Sequence, residues 1–150
     1  MKRNLLLLLA LVFSFTIFQT EANAQVSKIL GTWKTIDDET GEEKSYVKIF
    51  ESKGLYYGKV IKLLTEPQDK VCEECTGSYK DKKIVGMVIL LKMKPDGDGL
   101  DEGKILDPGN GKWYNCSMEL DKSNKDKLNV RGSLDKWGIA GRTQSWYRVK

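Results

Sequence analysis

The chain has 150 residues, with 25 Lys and Arg against 21 Asp and Glu, three Cys and no His; one domain with an ordinary buried core is the natural expectation at this length. The missing histidines exclude Ser-His-Asp and Cys-His catalysis, His-ligated zinc and an imidazole switch near neutral pH. A formal net charge of +4, with acids and bases mixed along the chain, is too mild to mark a nucleic-acid surface.

The first segment reads as an address. Lys2 and Arg3 precede an apolar stretch from Leu5 to Phe18, broken only by Ser14 and Thr16, and Ala22-Asn23-Ala24 then supplies small residues. This layout predicts a signal peptide over residues 1–24, cleaved before Gln25, and a single exported domain over residues 25–150, periplasmic or secreted. The apolar core is shorter than the roughly 20 residues of a membrane span, so no stable span is expected after cleavage. Loss of Lys2, Arg3 and Glu21 lowers the formal charge from +4 to +3.

After a short stretch, Val26–Leu30, that suits one helical turn, strand follows strand. The runs rich in β-formers are Gly31–Ile36, Lys44–Glu51, Leu55–Leu63, Ile84–Met93, Lys104–Leu106, Lys112–Leu120, Lys127–Ser133 and Arg142–Val149. Between them lie Asp38–Gly41, Ser52–Gly54, Asp96–Gly99, Asp107–Gly111 and Asp121–Asp126, rich in residues that accept positive φ or fold back onto their own backbone. Such tight connections imply antiparallel neighbours. Tyr114, Cys116, Met118 and Leu120 share one side of their strand, and Leu128, Val130 and Gly132 alternate with Asn129 and Arg131, which gives one dry and one wet face. Ile84–Met93 is more uniformly apolar and calls for cover on both faces or a lid over one of them. The fold class expected is all-β: an antiparallel up-and-down barrel of about eight strands, whose interior is either filled or holds one small ligand.

Gly31-Thr32-Trp33 after a helical turn resembles the G-x-W opening of lipocalin and calycin barrels, in which an Arg near the last strand packs on the Trp; Arg142 or Arg148 can serve here. A longer series, Gly54-Leu55-Tyr56-Tyr57-Gly58-Lys59-Val60, Cys72-x-x-Cys75, Gly86-Met87, Asp96-Gly97-Asp98-Gly99, Gly103 to Pro108, Asn110-Gly111-Lys112-x-Tyr114, Val130-Arg131-Gly132 and Gly141-Arg142-Thr143-Gln144-x-Trp146, is similar in order to the exported bacterial domain-of-unknown-function family numbered 2147. The resemblance covers nearly all of residues 26–149 and implies a lipocalin-like barrel in the periplasm with no settled activity.

Cys72-Glu73-Glu74-Cys75 sits in the longest connection. Two Glu between the thiols oppose the lowered thiol pKa of a redox pair, and zinc would need soft ligands beyond Cys116. In an oxidising compartment a local Cys72–Cys75 disulfide is the leading assignment; pairing of one of them with Cys116, and a redox or metal role, are the alternatives. Asp96, Asp98, Asp101 and Glu102 fail the calcium-loop template at Leu100 and Asp101, so they read as turn residues. Gly31, Trp33, Trp146 and Arg148 are assigned to the structure of the barrel floor. Met87, Ile89, Leu91, Tyr114 and Met118 are candidates to line a ligand cavity, with Arg142 and Gln144 as polar anchors and Trp137, among Asp135, Lys136 and Gly138, as a rim contact.

The leading functional reading is an exported lipocalin-like protein that binds a small hydrophobic or amphipathic molecule. The second is an envelope interaction module with a filled barrel. An enzyme is least supported: no nucleophile–base pair is visible, and Glu42/Glu43 and Glu73/Glu74 point apart on extended chain. No cofactor, metal or nucleic acid is expected.

Overall fold

The computed structural model describes residues 25–150; the expected leader, residues 1–24, lies outside the described residues. A helical turn at its start is tied by hydrogen bonds from Lys28, Ile29 and Leu30 back to the carbonyls of Gln25, Val26 and Ser27. Eight strands follow: β1 (Gly31–Ile36), β2 (Glu43–Ser52), β3 (Leu55–Leu63), β4 (Val88–Asp96), β5 (Gly99–Asp107), β6 (Lys112–Leu120), β7 (Lys127–Ser133) and β8 (Gly141–Arg148). Each pairs antiparallel with the next, and β8 returns to β1 through Trp33 opposite Arg148 and Lys34 opposite Tyr147, which closes the barrel.

Aspartates shape the connections. The carboxylate of Asp37 accepts the backbone N–H groups of Glu39 and Thr40, that of Asp107 the N–H of Gly109, and that of Asp121 those of Ser123 and Asn124. Each mimics a backbone turn and fixes where its strand ends. Asp37 lies well below the ordinary carboxylate range because the Thr40 N–H and then the Lys44 ammonium stabilise its charge.

Four strands differ from the sequence expectation: β2 and β8 by one residue at each end, β4 and β5 by more. β4 begins at Val88, because Ile84–Met87 is a turn in which Met87 N–H bonds to the Ile84 carbonyl and Gly86 takes φ +95°. β5 begins at Gly99, because Asp96 and Gly99 pair directly and the acidic run continues as strand through a register shift between Leu100 and Gly103, with Glu102 at φ +56°. A second register shift, at Gly58/Lys59 opposite Leu90 and Val88, inserts Ile89 as an extra residue, so consecutive Ile89 and Leu90 are both buried.

The connection from β3 to β4 is a strap laid along the barrel. It contains a 3-10 turn at Gly77–Tyr79, a bridge between Val71 and Lys83, and the Cys72–Cys75 disulfide with Cα atoms 5.4 Å apart. Tyr79 meets Trp113 edge-on at 5.3 Å. Cys72 Sγ lies 3.4 Å from the Pro108 carbonyl oxygen, and Gly111, at φ +69°, leaves no room for a Cβ against the Glu74 carbonyl. The strap is thereby clamped onto the β5–β6 turn and covers the apolar β4–β6 wall. Cys116 stays free and buried, and burial, with Asp101 second, pushes its thiol far above the ordinary range. Pairing with Cys116 is not adopted.

Candidate functional site

The two ends of the barrel differ. At one end Trp33 is fully buried, its Nε1–H donating to the Ile29 carbonyl at 2.7 Å. Arg148 lies over the Trp33 ring at 4.2 Å and donates to the carbonyls of Leu30 and Lys28, which draws the N-terminal turn across the opening. Gly31 permits this: its φ is +125°, and a Cβ there would sit 2.9 Å from Arg148 Nη1. Of the two arginines anticipated for this contact, Arg148 makes it. Buried Met93, Leu100, Met118 and Leu128 fill the half of the barrel above this plug.

The other half is open. A cavity of about 780 Å³ enters between the β1–β2, β3–β4, β5–β6 and β7–β8 connections. Val60, Leu63, Ile89, Ile105, Val130 and Trp146 give it an apolar wall, and Gly132 leaves a space that a side chain would occupy. Polar groups inside are already partnered. Thr35 Oγ1 and Ser45 Oγ share a 2.8 Å hydrogen bond, and the Tyr114 hydroxyl accepts from Asn110 Nδ2 at 3.0 Å. Gln144 accepts from Trp146 Nε1 at 3.3 Å and donates to Asp38 at 2.9 Å. Among the described residues no buried side-chain nitrogen or oxygen lacks a partner. The charged lining groups are exposed or half-buried and form the pairs Lys44–Asp37 and Lys70–Glu66 and Arg142 between Asp38 and Asp107, with Glu39 beside them. A guest can therefore bury apolar surface in the wall without stranding a polar group, while its polar end meets water and paired charges at the mouth.

The family model described as an uncharacterized protein conserved in bacteria, DUF2147, matches residues 31–148. The chain belongs to this family. A solved Helicobacter pylori protein, described as belonging to the lipocalin family, is similar in fold: the TM-score is 0.71 at 24% identity, over 81% of this chain and 82% of that one. No curated protein matches the sequence significantly.

In this DUF2147 barrel the candidates named from sequence divide in two. Ile89, Tyr114, Arg142 and Gln144 line the cavity together. Met87 and Met118 are buried without lining it, Leu91 is half-buried, and Trp137 is 86% exposed on the β7–β8 connection. Trp146, assigned to the floor, forms part of the cavity wall as well as the core. Thr35, Ser45, Val130 and Gly132 escaped the sequence reading as lining residues. Their signal was present in strand alternation: Thr35 shares the parity of Trp33, and Val130 and Gly132 that of Leu128.

Proposed function

We propose that this protein is an exported, periplasmic binding protein that holds one small hydrophobic or amphipathic molecule in the open half of its barrel and performs no chemistry on it. The observation that carries the reading is the apolar wall of the 780 Å³ cavity beneath a rim of paired charges. That volume falls within the range of about 300–1,000 Å³ typical of small-molecule sites. It favours a carrier over an interaction module with a filled barrel. The leader-like start supports export, and a chain without histidine, whose cavity wall is apolar, supports binding without catalysis.

Trp146 reports on the test directly because it stands in the wall. Titration with anilinonaphthalene sulfonate, then displacement by lauric or palmitic acid, is expected to quench and restore its fluorescence at one site per chain. Gly132→Leu, which fills the space beside Tyr114 and Ile105, is expected to abolish uptake. Equal uptake by that variant would place the probe elsewhere and sink the reading. Fractionation of the source cells with N-terminal sequencing checks export: the mature chain is expected in the periplasm, starting at Gln25.

A further inference from the structure

The strongly exposed apolar side chains concentrate on one connection. Leu134, Trp137 and Ile139 are 71%, 86% and 80% exposed, and all three belong to the link between β7 and β8, where Leu134 and Ala140 also border the cavity mouth. The link is built to hold them outward. The Asp135 carboxylate accepts the backbone N–H groups of Trp137, Ile139 and Ala140, Arg131 donates to the Gly138 carbonyl, and Asn115 donates to that of Leu134. A loop with so many internal bonds does not collapse to hide its apolar groups, so they need a partner.

Size and charge identify the partner. A stable protein interface takes about 800 Å² from each side, more than three side chains on one loop supply, whereas a bilayer interface accepts a few apolar side chains without a matching surface. Tryptophan with aliphatic neighbours and a lysine is a composition that settles at the boundary of headgroups and acyl chains. Positive charge lies at the tip, with Lys136 within it, Arg131 directly behind it and Lys104 beside it on Asn115. Of the acids at the cavity mouth, Asp37, Asp38, Glu66 and Asp107 are engaged by Lys44, Arg142 and Lys70, and Glu39 adds a further negative charge. The one acid of the loop, Asp135, is turned inward to backbone N–H groups. This balance complements an anionic leaflet.

We propose that the β7–β8 loop inserts Leu134, Trp137 and Ile139 into the interface of an anionic lipid bilayer, which sets the cavity mouth against the lipid. Docking stands independently of whether the cavity holds a ligand, and the two are tested apart. Flotation of the full exported protein with vesicles of phosphatidylethanolamine and phosphatidylglycerol is expected to recover it with the lipid and to shift Trp emission to the blue. Zwitterionic phosphatidylcholine vesicles and high salt are expected to weaken recovery. The paired substitution Trp137→Ser with Ile139→Ser, on a surface loop where folding is untouched, is expected to lower vesicle binding at least ~10-fold and to leave anilinonaphthalene sulfonate uptake unchanged. Gly132→Leu is expected to keep vesicle binding.

Equal flotation of the paired variant and the parent, or no flotation of the parent, overturns the proposal. So does a concentration-dependent dimer that the paired variant abolishes, since it would assign the loop to a second copy. Binding to native envelope vesicles but not to liposomes of their extracted lipid would assign the loop to a protein, and overturns it equally.

Discussion

Arg148 joins three parts of the chain that are remote in sequence. Its guanidinium stacks on Trp33 and donates to the carbonyls of Leu30 and Lys28, so one side chain fixes the last strand, the first strand and the turn that plugs the barrel. Hydrogen bonds from a charged donor contribute about 1.5–3 kcal/mol, and the Arg148 side chain is only 24% exposed. Arg148→Ala is expected to destabilise the fold by about 2 kcal/mol in urea unfolding, with Lys at this position restoring little because it lacks the planar fork. The turn aspartates act on pH. Asp37, Asp121 and Asp135 are held below the ordinary range: Asp37 by the Thr40 N–H, Asp121 by the Ser123 hydroxyl and N–H, and Asp135 by the Ala140 and Ile139 N–H groups. A lowered folded-state pKa makes the carboxylate contribution complete above the unfolded value of about 3.9, and that contribution is lost as pH falls through the folded values. The urea midpoint is expected to hold from neutral pH down to about 5 and to drop below about 4. Asp121→Asn, which removes the charge that Ser123 stabilises, is expected to flatten that drop.

The β3–β4 strap is the element that the sequence described least well and that shapes the site most. Its Cys pair was legible from spacing and compartment, because a C-x-x-C with acids between the thiols, in a chain without histidine, has few other uses. Its path was not, since nothing local to residues 65–83 says that Gly111 will receive the Glu74 carbonyl. The same distinction runs through the strands. Four of the eight match the expected boundaries residue for residue, because their alternation and flanking turns agree. β5 was cut short because Asp96–Gly103 carries loop composition, while the pairing of Gly99 with Glu119 and Leu100 with Met118 keeps it in the sheet; tertiary pairing overrode local preference. Closing a loop as short as Cys72–Cys75 contributes about 2 kcal/mol by the chain-entropy estimate. Cys72→Ser with Cys75→Ser is expected to lower stability by that amount and to expose Trp113 by loosening Tyr79, a red shift in emission being the readout. In the native protein Cys116 is expected to resist thiol reagents at neutral pH. One thiol is expected to react after denaturation, and three after denaturation with reductant.

At the scale of the molecule the barrel divides its labour along its axis. Trp33, Arg148 and the methionine- and leucine-rich half supply cohesion, and the other half gives up packing to stay open. Sequence alternation identified inward positions but not this division: Met118 and Tyr114 share a strand face, yet only Tyr114 reaches the cavity. Which inward residues meet a ligand depends on which end the N-terminal turn plugs, a contact between residues more than a hundred positions apart. An open cavity also predicts a trade-off that is measurable at one position. Gly132 lies in a β-strand with no positive φ to preserve, and a Cβ there would meet Tyr114 Cβ at 3.6 Å and Ile105 Cγ2 at 3.7 Å, both ordinary contacts. Gly132→Leu therefore removes the entropic penalty of glycine in a strand, about 0.5–1 kcal/mol. It also buries part of a leucine whose complete burial contributes roughly 1.5–3 kcal/mol. The variant is expected to be more stable than the parent by about 1–2 kcal/mol and to lose the ligand. In the parent, saturation with ligand at about 100 times its Kd is expected to add about 2.7 kcal/mol, and the same concentration is expected to add nothing to Gly132→Leu. Thermal unfolding of the two proteins with and without palmitate separates these cases: stabilisation by ligand in both would mean that the open half of the barrel is not where the ligand sits.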